Sequence, residues 1–330
     1  MAIGFEIFDD EGVFQYPKDP FSHIVDELDE ALDQRESGRL SGNAYIAALQ
    51  RLVARKPEFI DGHAHLGFVL LEQGKTQKAL EACLRGVAVG ECSIPKNFNG
   101  RIEWGHLDNR PFLRAMHGAI VCHLRLRRHQ AAVALMERML AYNPNDNQGI
   151  RYLLGPEYLR LGKRGEALQL LEREADHYPP YHYELALLHA QEGNWTAAAT
   201  SLRRGFYANS YIAEILCGNP HPAPLSIWHG TNYSESGLAK EYISMYGESW
   251  RRKPDCLAFV RWLFNHPKIL VERAALLECQ EALLWEHDFE RRMPIVERMQ
   301  SIQDGIDEQI SEQIVQRRLD RHDRSVWPWL

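Results

Sequence analysis

The chain has 330 residues, enough to bury a sizeable core in one elongated array or two small domains. Apolar and charged fractions of 45% and 25% are those of an ordinary globular protein. The net charge of −7 argues against a nucleic-acid binder, which needs a basic face for phosphate contacts.

The basic clusters that do occur are short and sit among acids, at Arg125/Arg127/Arg128, Arg203/Arg204, Arg251/Arg252/Lys253 and Arg317/Arg318/Arg321. They read as solvated helix faces. No apolar run approaches the roughly 20 residues that span a bilayer. Met1 to Asp10 carries Glu6, Asp9 and Asp10 without a basic stretch, which is not a secretory signal. Six scattered cysteines without a C-x-x-C pattern read as reduced packing residues. The expected compartment is the cytoplasm.

From the N-terminus, the first helices are expected near Phe21–Glu36 and Asn43–Lys56, with Pro57 as the stop. The acidic run Asp26-Glu27, Asp29-Glu30 reads as a solvated helix face. A clear helix pair follows, with Leu66-Gly67, Leu70, a turn at Gly74, then Ala79 and Cys83. The next pair has Ala119, Ile120, Arg127 at the turn, Ala132, Met136 and Pro144. The clearest copy has Leu154-Gly155, Tyr158, Gly162, Ala167, Leu171 and Pro179. A fourth has Ala186, His189, Gly193, Ala198, Leu202 and Gly205. Small residues belong where two helix backbones approach closely, and a residue able to adopt positive φ belongs at the turn. The alanines expected at helix crossings are Ala79, Ala132, Ala167 and Ala198, spaced by 53, 35 and 31 residues. The long interval implies an insertion at 87–111, rich in turn residues and holding Trp104 and His106.

Two polar strings have a local physical reading. Asp108 or Asn109 can cap a helix whose first turn holds Pro111, and Asp146 or Asn147 can cap the helix after Asn143-Pro144. Beyond Asn209, Asn219 to Pro224 forms a proline-rich linker. Amphipathic, aromatic-rich segments follow near Glu235–Trp250, Asp255–Phe264 and Pro267–Glu286, and they suit a terminal cap on the repeats. Ile295, Met299, Ile302, Ile306, Ile310 and Ile314 then form one apolar stripe at helical period. The chain continues to Trp327 and Trp329, and both features call for an apolar neighbour. Docking on the same chain is preferred over a second chain, with Gly305 weakening the helix midway.

The helix-pair pattern resembles the tetratricopeptide repeat, a helical pair of 34 residues. It departs at Ile120, where the repeat usually has glycine, and at Ser210, where it usually has proline. From Gly105 to about Trp262 the chain is similar to bacterial tetratricopeptide proteins of unassigned function. Its later part, around Ala208-Asn209-Ser210-Tyr211-Ile212 and Trp250, resembles the suppression-of-tumorigenicity-seven family.

The fold expected is all-α: an α/α solenoid with a helical C-terminal cap and almost no strand. Its segments are an N-terminal part at 1–59, a repeat array at 60–210 and a cap at 211–330. The resemblance implies a protein-interaction adaptor whose concave groove is lined by Phe68, Arg114, His117, Arg125, Tyr152, Arg160, Tyr183 and Leu187, with Ala64, Leu71, Val121 and Leu124 beside them. The carboxylate clamp of the chaperone-binding members has no counterpart at the matching positions Ala64, Phe68, Gly118, Gly149 and Leu153. The expected partner is therefore an apolar protein segment with some acidic residues, with no nucleic acid and no membrane. The alternatives are a groove closed by the chain's own helices, a subunit self-associating through 295–314, and an enzyme using His106 and Asp108 of the insertion. No cofactor, metal site or catalytic residue is assigned. His63 and His65 point to different sides of one helix, and His182 and His189 lack a third ligand.

Overall fold

The computed structural model describes residues 3–330, and the side chains of residues 18–20 fall outside the description. So do Met1 and Ala2 of the N-terminal reading. The fold is all-α, of the helix-pair solenoid class, with two short hairpins added among the described residues. The chain divides into two compact units, Met1–Glu157 and Tyr158–Leu330. This division falls inside the clearest repeat, not at 59/60 or 210/211.

The first unit opens with a hairpin of β1 (Gly4–Phe8) and β2 (Glu11–Gln15), antiparallel with Gly4 opposite Gln15. The expectation of almost no strand did not include it. Six helices follow in pairs: α1 (Lys18–Glu36) and α2 (Gly42–Arg55), α3 (Ile60–Glu72) and α4 (Thr76–Ser93), α5 (Arg110–Arg125) and α6 (His129–Tyr142). The insertion at 87–111 is therefore loop only over 94–106, because α4 continues to Ser93 and a short helical turn at Leu107–Asn109 leads into α5. The hairpin packs on this loop. Phe14 is wholly buried against Phe112, with Phe5 edge-on to Phe14 and to Phe98 at 5.1 Å.

Asn109 holds the two segments together. Its Oδ1 accepts from Phe14 N at 3.1 Å, and its Nδ2 donates to the carbonyls of Gly12 and Glu103, each at 3.0 Å. The side chain thus spans the hairpin and the loop and does not cap α5, which corrects the capping assignment. Asp146 does act as a cap, accepting from Ile150 N and Arg151 N.

Helix α7 (Arg151–Arg160) leads to the second unit. There α8 (Arg164–Glu174), α9 (Tyr181–Gln191) and α10 (Trp195–Ala208) continue the pairing, followed by α11 (Ser210–Cys217), α12 (Ser236–Arg251), α13 (Pro254–Phe264), α14 (Pro267–Trp285), α15 (Phe289–Asp304) and α16 (Glu308–Ile314). A short hairpin of β3 (Arg318–Leu319) and β4 (Ser325–Val326) comes last.

The turn residues sit in the left-handed region where the helix pairs require it: Gly74, Gly162 and Gly193 at φ 72–78°, and Arg127 at 56°. All four crossing alanines are wholly inaccessible to solvent. Gly67 shows why such positions stay small: a Cβ there would stand 2.1 Å from Cys83 Sγ on the paired helix.

The expected last helix is broken. Residues 305–307 separate α15 from α16, and the stripe divides accordingly. Ile306 and Ile314 are buried, and Ile314 and Val315 belong to the core of the second unit. Arg203 on α10 holds α16 in place. It is completely buried, pairs with Glu272 at 2.6 Å, and donates to Asp307 O at 2.7 Å and Ser311 Oγ at 3.1 Å. Trp327 and Trp329 stack at 5.0 Å and pack on Trp195, and Trp329 also meets Phe259 and Trp262. Ile314, Val315, Trp327 and Trp329 of the C-terminal stretch thus pack on their own unit.

Candidate partner-binding face

The inner helices of consecutive pairs, α3 and α5, pack side by side. Facing positions recur every three or four residues along each, so a row of side chains is left between core and solvent. On α3 these are Asp61, His65 and Phe68; on α5 they are Arg114, His117, Val121 and Leu124. Each polar member is held. Arg114 Nη1 donates to Asp61 at 2.6 Å and to His65 Nε2 at 3.1 Å. That leaves His65 Nδ1 facing the Tyr45 hydroxyl at 3.5 Å. His117 lies edge-on to Phe68 at 5.9 Å and accepts from Gln148 Nε2 at 3.3 Å. Arg125, exposed at the end of α5, donates to the Leu71 carbonyl at 3.3 Å.

Burial sets the electrostatics. It lowers the His65 imidazole below its usual range, against the opposing pull of Asp61, and it lowers His117 likewise. Both rings are neutral acceptors near neutral pH, which matches the hydrogen bonds they receive. Asp61 offsets the Arg114 charge, so Arg125 presents the more open positive charge of the face.

Four of the eight residues expected to line a groove, Phe68, Arg114, His117 and Arg125, therefore share this face of the first unit. Tyr152 is half-buried on α7. Ala64 and Leu71 are core residues. In the second unit Tyr183 and Leu187 lie inside the core, at 0% and 3% exposure, and the Tyr183 hydroxyl donates to Asn209 O at 2.6 Å. They line no open surface, which corrects their assignment. The reason is local: α13 packs on α9, and Tyr242 of α12 meets the Tyr183 ring at 6.0 Å. Arg160 donates to Met245 O of α12 at 3.3 Å. At α9 the chain's own helices thus close the groove, one of the alternatives the sequence left open.

His106 of the insertion pairs with Glu11 at 3.1 Å and so joins the loop to the hairpin. The described residues contain no helix long and apolar enough to cross a membrane.

Residues 152–210 match the tetratricopeptide-repeat family model. Among solved structures, the chain is similar to the MamA protein, with 16% identity, 56% of this chain and 90% of that one covered, and a TM-score of 0.44. A tetratricopeptide repeat protein from Parabacteroides merdae is similar with 14% identity, coverage of 84% and 98%, and a TM-score of 0.44. No curated protein matches the chain. The likeness to the suppression-of-tumorigenicity-seven family is not among what these matches show. The tetratricopeptide-repeat match is thus confined to residues 152–210, and the positive-φ turns and buried crossing alanines show the same helix-pair pattern in the preceding pairs.

Proposed function

We propose that the protein is a non-enzymatic adaptor or scaffold that binds a protein segment on the α3–α5 face. One observation carries the reading. This face presents aromatic, aliphatic and cationic side chains that are neither packed in the core nor freely solvated, and hydrogen bonds fix its polar members in place. Such preorganisation lowers the ordering cost of association. Phe68, Val121 and Leu124 offer apolar surface, and Arg125 stands at the exposed end. An apolar segment with some acidic residues fits this combination. The internal pairing of Arg114, Asp61 and His65 favours a binding role over catalysis, because those groups already satisfy one another.

The test is partner capture by the purified protein, with every retained protein identified by mass spectrometry and compared with Phe68→Ala/His117→Ala/Arg125→Ala. Loss of specific partners from the variant, at an unchanged helical signal, is the expected result. Equal retention by both proteins removes the binding site from this face.

A further inference from the structure

We propose that the outer face of α15 in the second unit is a docking site for a helical segment of a partner protein, apolar along one stripe and basic beside it. This surface is separate from the α3–α5 face.

Helix α15 contains no fully buried residue. One of its faces carries Phe289, Met293 and Val296, at 74%, 39% and 38% exposure. Gln300 and Gln303 continue the same 4-3-4-3 spacing, which is the seam of a heptad helix pair, with 289, 296 and 303 at d and 293 and 300 at a. Trp285, 73% exposed, stands just before the helix. An aromatic, a methionine and a valine in this register are costly to leave wet and suit the apolar stripe of another helix.

Charge identifies the occupant. The positions next to the seam on its open side are Glu290, Glu297 and Asp304, all exposed and all at e. On the other side, Arg292 is occupied within the unit, donating to the carbonyls of Leu283 and Glu286 and lying over the Trp228 ring at 5.4 Å. A second copy of the chain is a poor occupant. An antiparallel pair would set one acidic row against the other, and a parallel pair would need Arg292 to leave its carbonyls for Glu297 of its mate. A partner helix with lysine or arginine beside its stripe meets the acidic row with opposite charge.

The face does not end at Val296. Gln300, Gln303 and Asp304 form one wall of a cavity of about 650 Å³, with Trp228 also in its lining. His182 and Gln280, both largely buried, line the same cavity. The end of a docked segment that ran past Val296 would meet this cavity.

Fluorescence anisotropy on the full chain tests the proposal with three labelled three-heptad peptides. The first has leucine at a and d and lysine at e and g. In the second glutamate replaces lysine, and the third is a scramble of the first. The lysine peptide is expected to bind, more weakly as salt rises, and the other two are not. Phe289→Asp/Val296→Asp should weaken binding by at least about tenfold. Glu290→Lys/Glu297→Lys changes only exposed side chains and should turn the preference toward the glutamate peptide. No binding of the lysine peptide, equal binding of all three, or an unchanged preference after charge reversal overturns the proposal. Sedimentation showing a dimer that dissociates on Phe289→Asp/Val296→Asp assigns the face to a second copy and overturns it as well. None of these readouts depends on the α3–α5 face.

Discussion

Glu184 and His182 stand two residues apart on α9, and both are buried without a counter-charge at bonding distance. Burial raises the Glu184 carboxyl from 4.5 to about 8, with the Tyr242 hydroxyl beside it, and burial lowers the His182 imidazole from 6.5 to about 4. The two act on stability in opposite directions. Between pH 4.5 and 8 the folded chain keeps a proton on Glu184 that the unfolded chain loses, so stability falls as pH rises through this window. Between pH 6.5 and 4 the unfolded chain protonates His182 and the folded chain does not, so stability falls as pH drops. The two effects nearly cancel from 4.5 to 6.5, and the alkaline limb from 6.5 to 8 belongs to Glu184. In denaturant unfolding, a variant with His182 replaced by an uncharged residue should lose roughly 3–5 kcal/mol of stability across the full Glu184 window. Glu184→Gln should remove that slope. A variant that keeps it would place the responsible group elsewhere.

Arg203 is buried too, but it is paired, and the distinction decides what its loss does. Arg203→Ala leaves Glu272 and the carbonyl of Asp307 without their donor, and should cost about 3–5 kcal/mol in equilibrium unfolding. Arg203→Met with Glu272→Gln removes the charge at both ends and fills the volume, and should recover most of that loss. No recovery would mean that the geometry of the network, and not the unpaired charge, sets the cost.

At the level of elements, the helix pairs were legible because each leaves two signatures: a small residue at the crossing and a turn residue at positive φ. Arg127 shows that the second can be read even when glycine is missing. A non-glycine residue at φ 56° carries backbone strain, so Arg127→Gly should stabilise the α5–α6 turn by up to about 1 kcal/mol, seen as a raised melting temperature. The N-terminal hairpin was missed, although the alternation in Phe5-Glu6-Ile7 and the turn-forming Asp9-Asp10 were available as signals. Asn109 could not be read from the sequence at all, since its partners lie 95 and 97 residues away. The break between α15 and α16 was half-visible. Gly305 marked the weak point, but the buried Arg203 that captures α16 was read as part of a solvated cluster. Removing Ser325 to Leu330 deletes Trp327 and Trp329 from their stack on Trp195 and should cost about 2–4 kcal/mol while shifting tryptophan emission to the red. An unshifted spectrum and melting temperature would mean the stack contributes nothing to the core.

Across the whole molecule, repeat periodicity predicts which positions face the inner side of a helix pair but not whether that side stays open. The same register places Phe68 and His117 on an accessible face and Tyr183 and Leu187 inside a core. The difference arises from segments far along the chain, since α12 and α13 contribute Tyr242, Tyr246 and Phe259 to the cluster that encloses α9. Periodicity is a local signal, and enclosure is set by residues some 60–80 positions later. The two classes of inner position should therefore respond differently to truncation. Tyr183→Ala opens a cavity and strands Asn209 O, and should lower stability by about 3–5 kcal/mol. Its folded fraction should still capture the same partners as wild type. Phe68→Ala/His117→Ala should leave the melting temperature within a few degrees, because both side chains are only half-buried, yet should abolish capture. If Tyr183→Ala loses capture at temperatures where it is fully folded, binding extends into the second unit and the division between enclosed and open inner faces does not govern function.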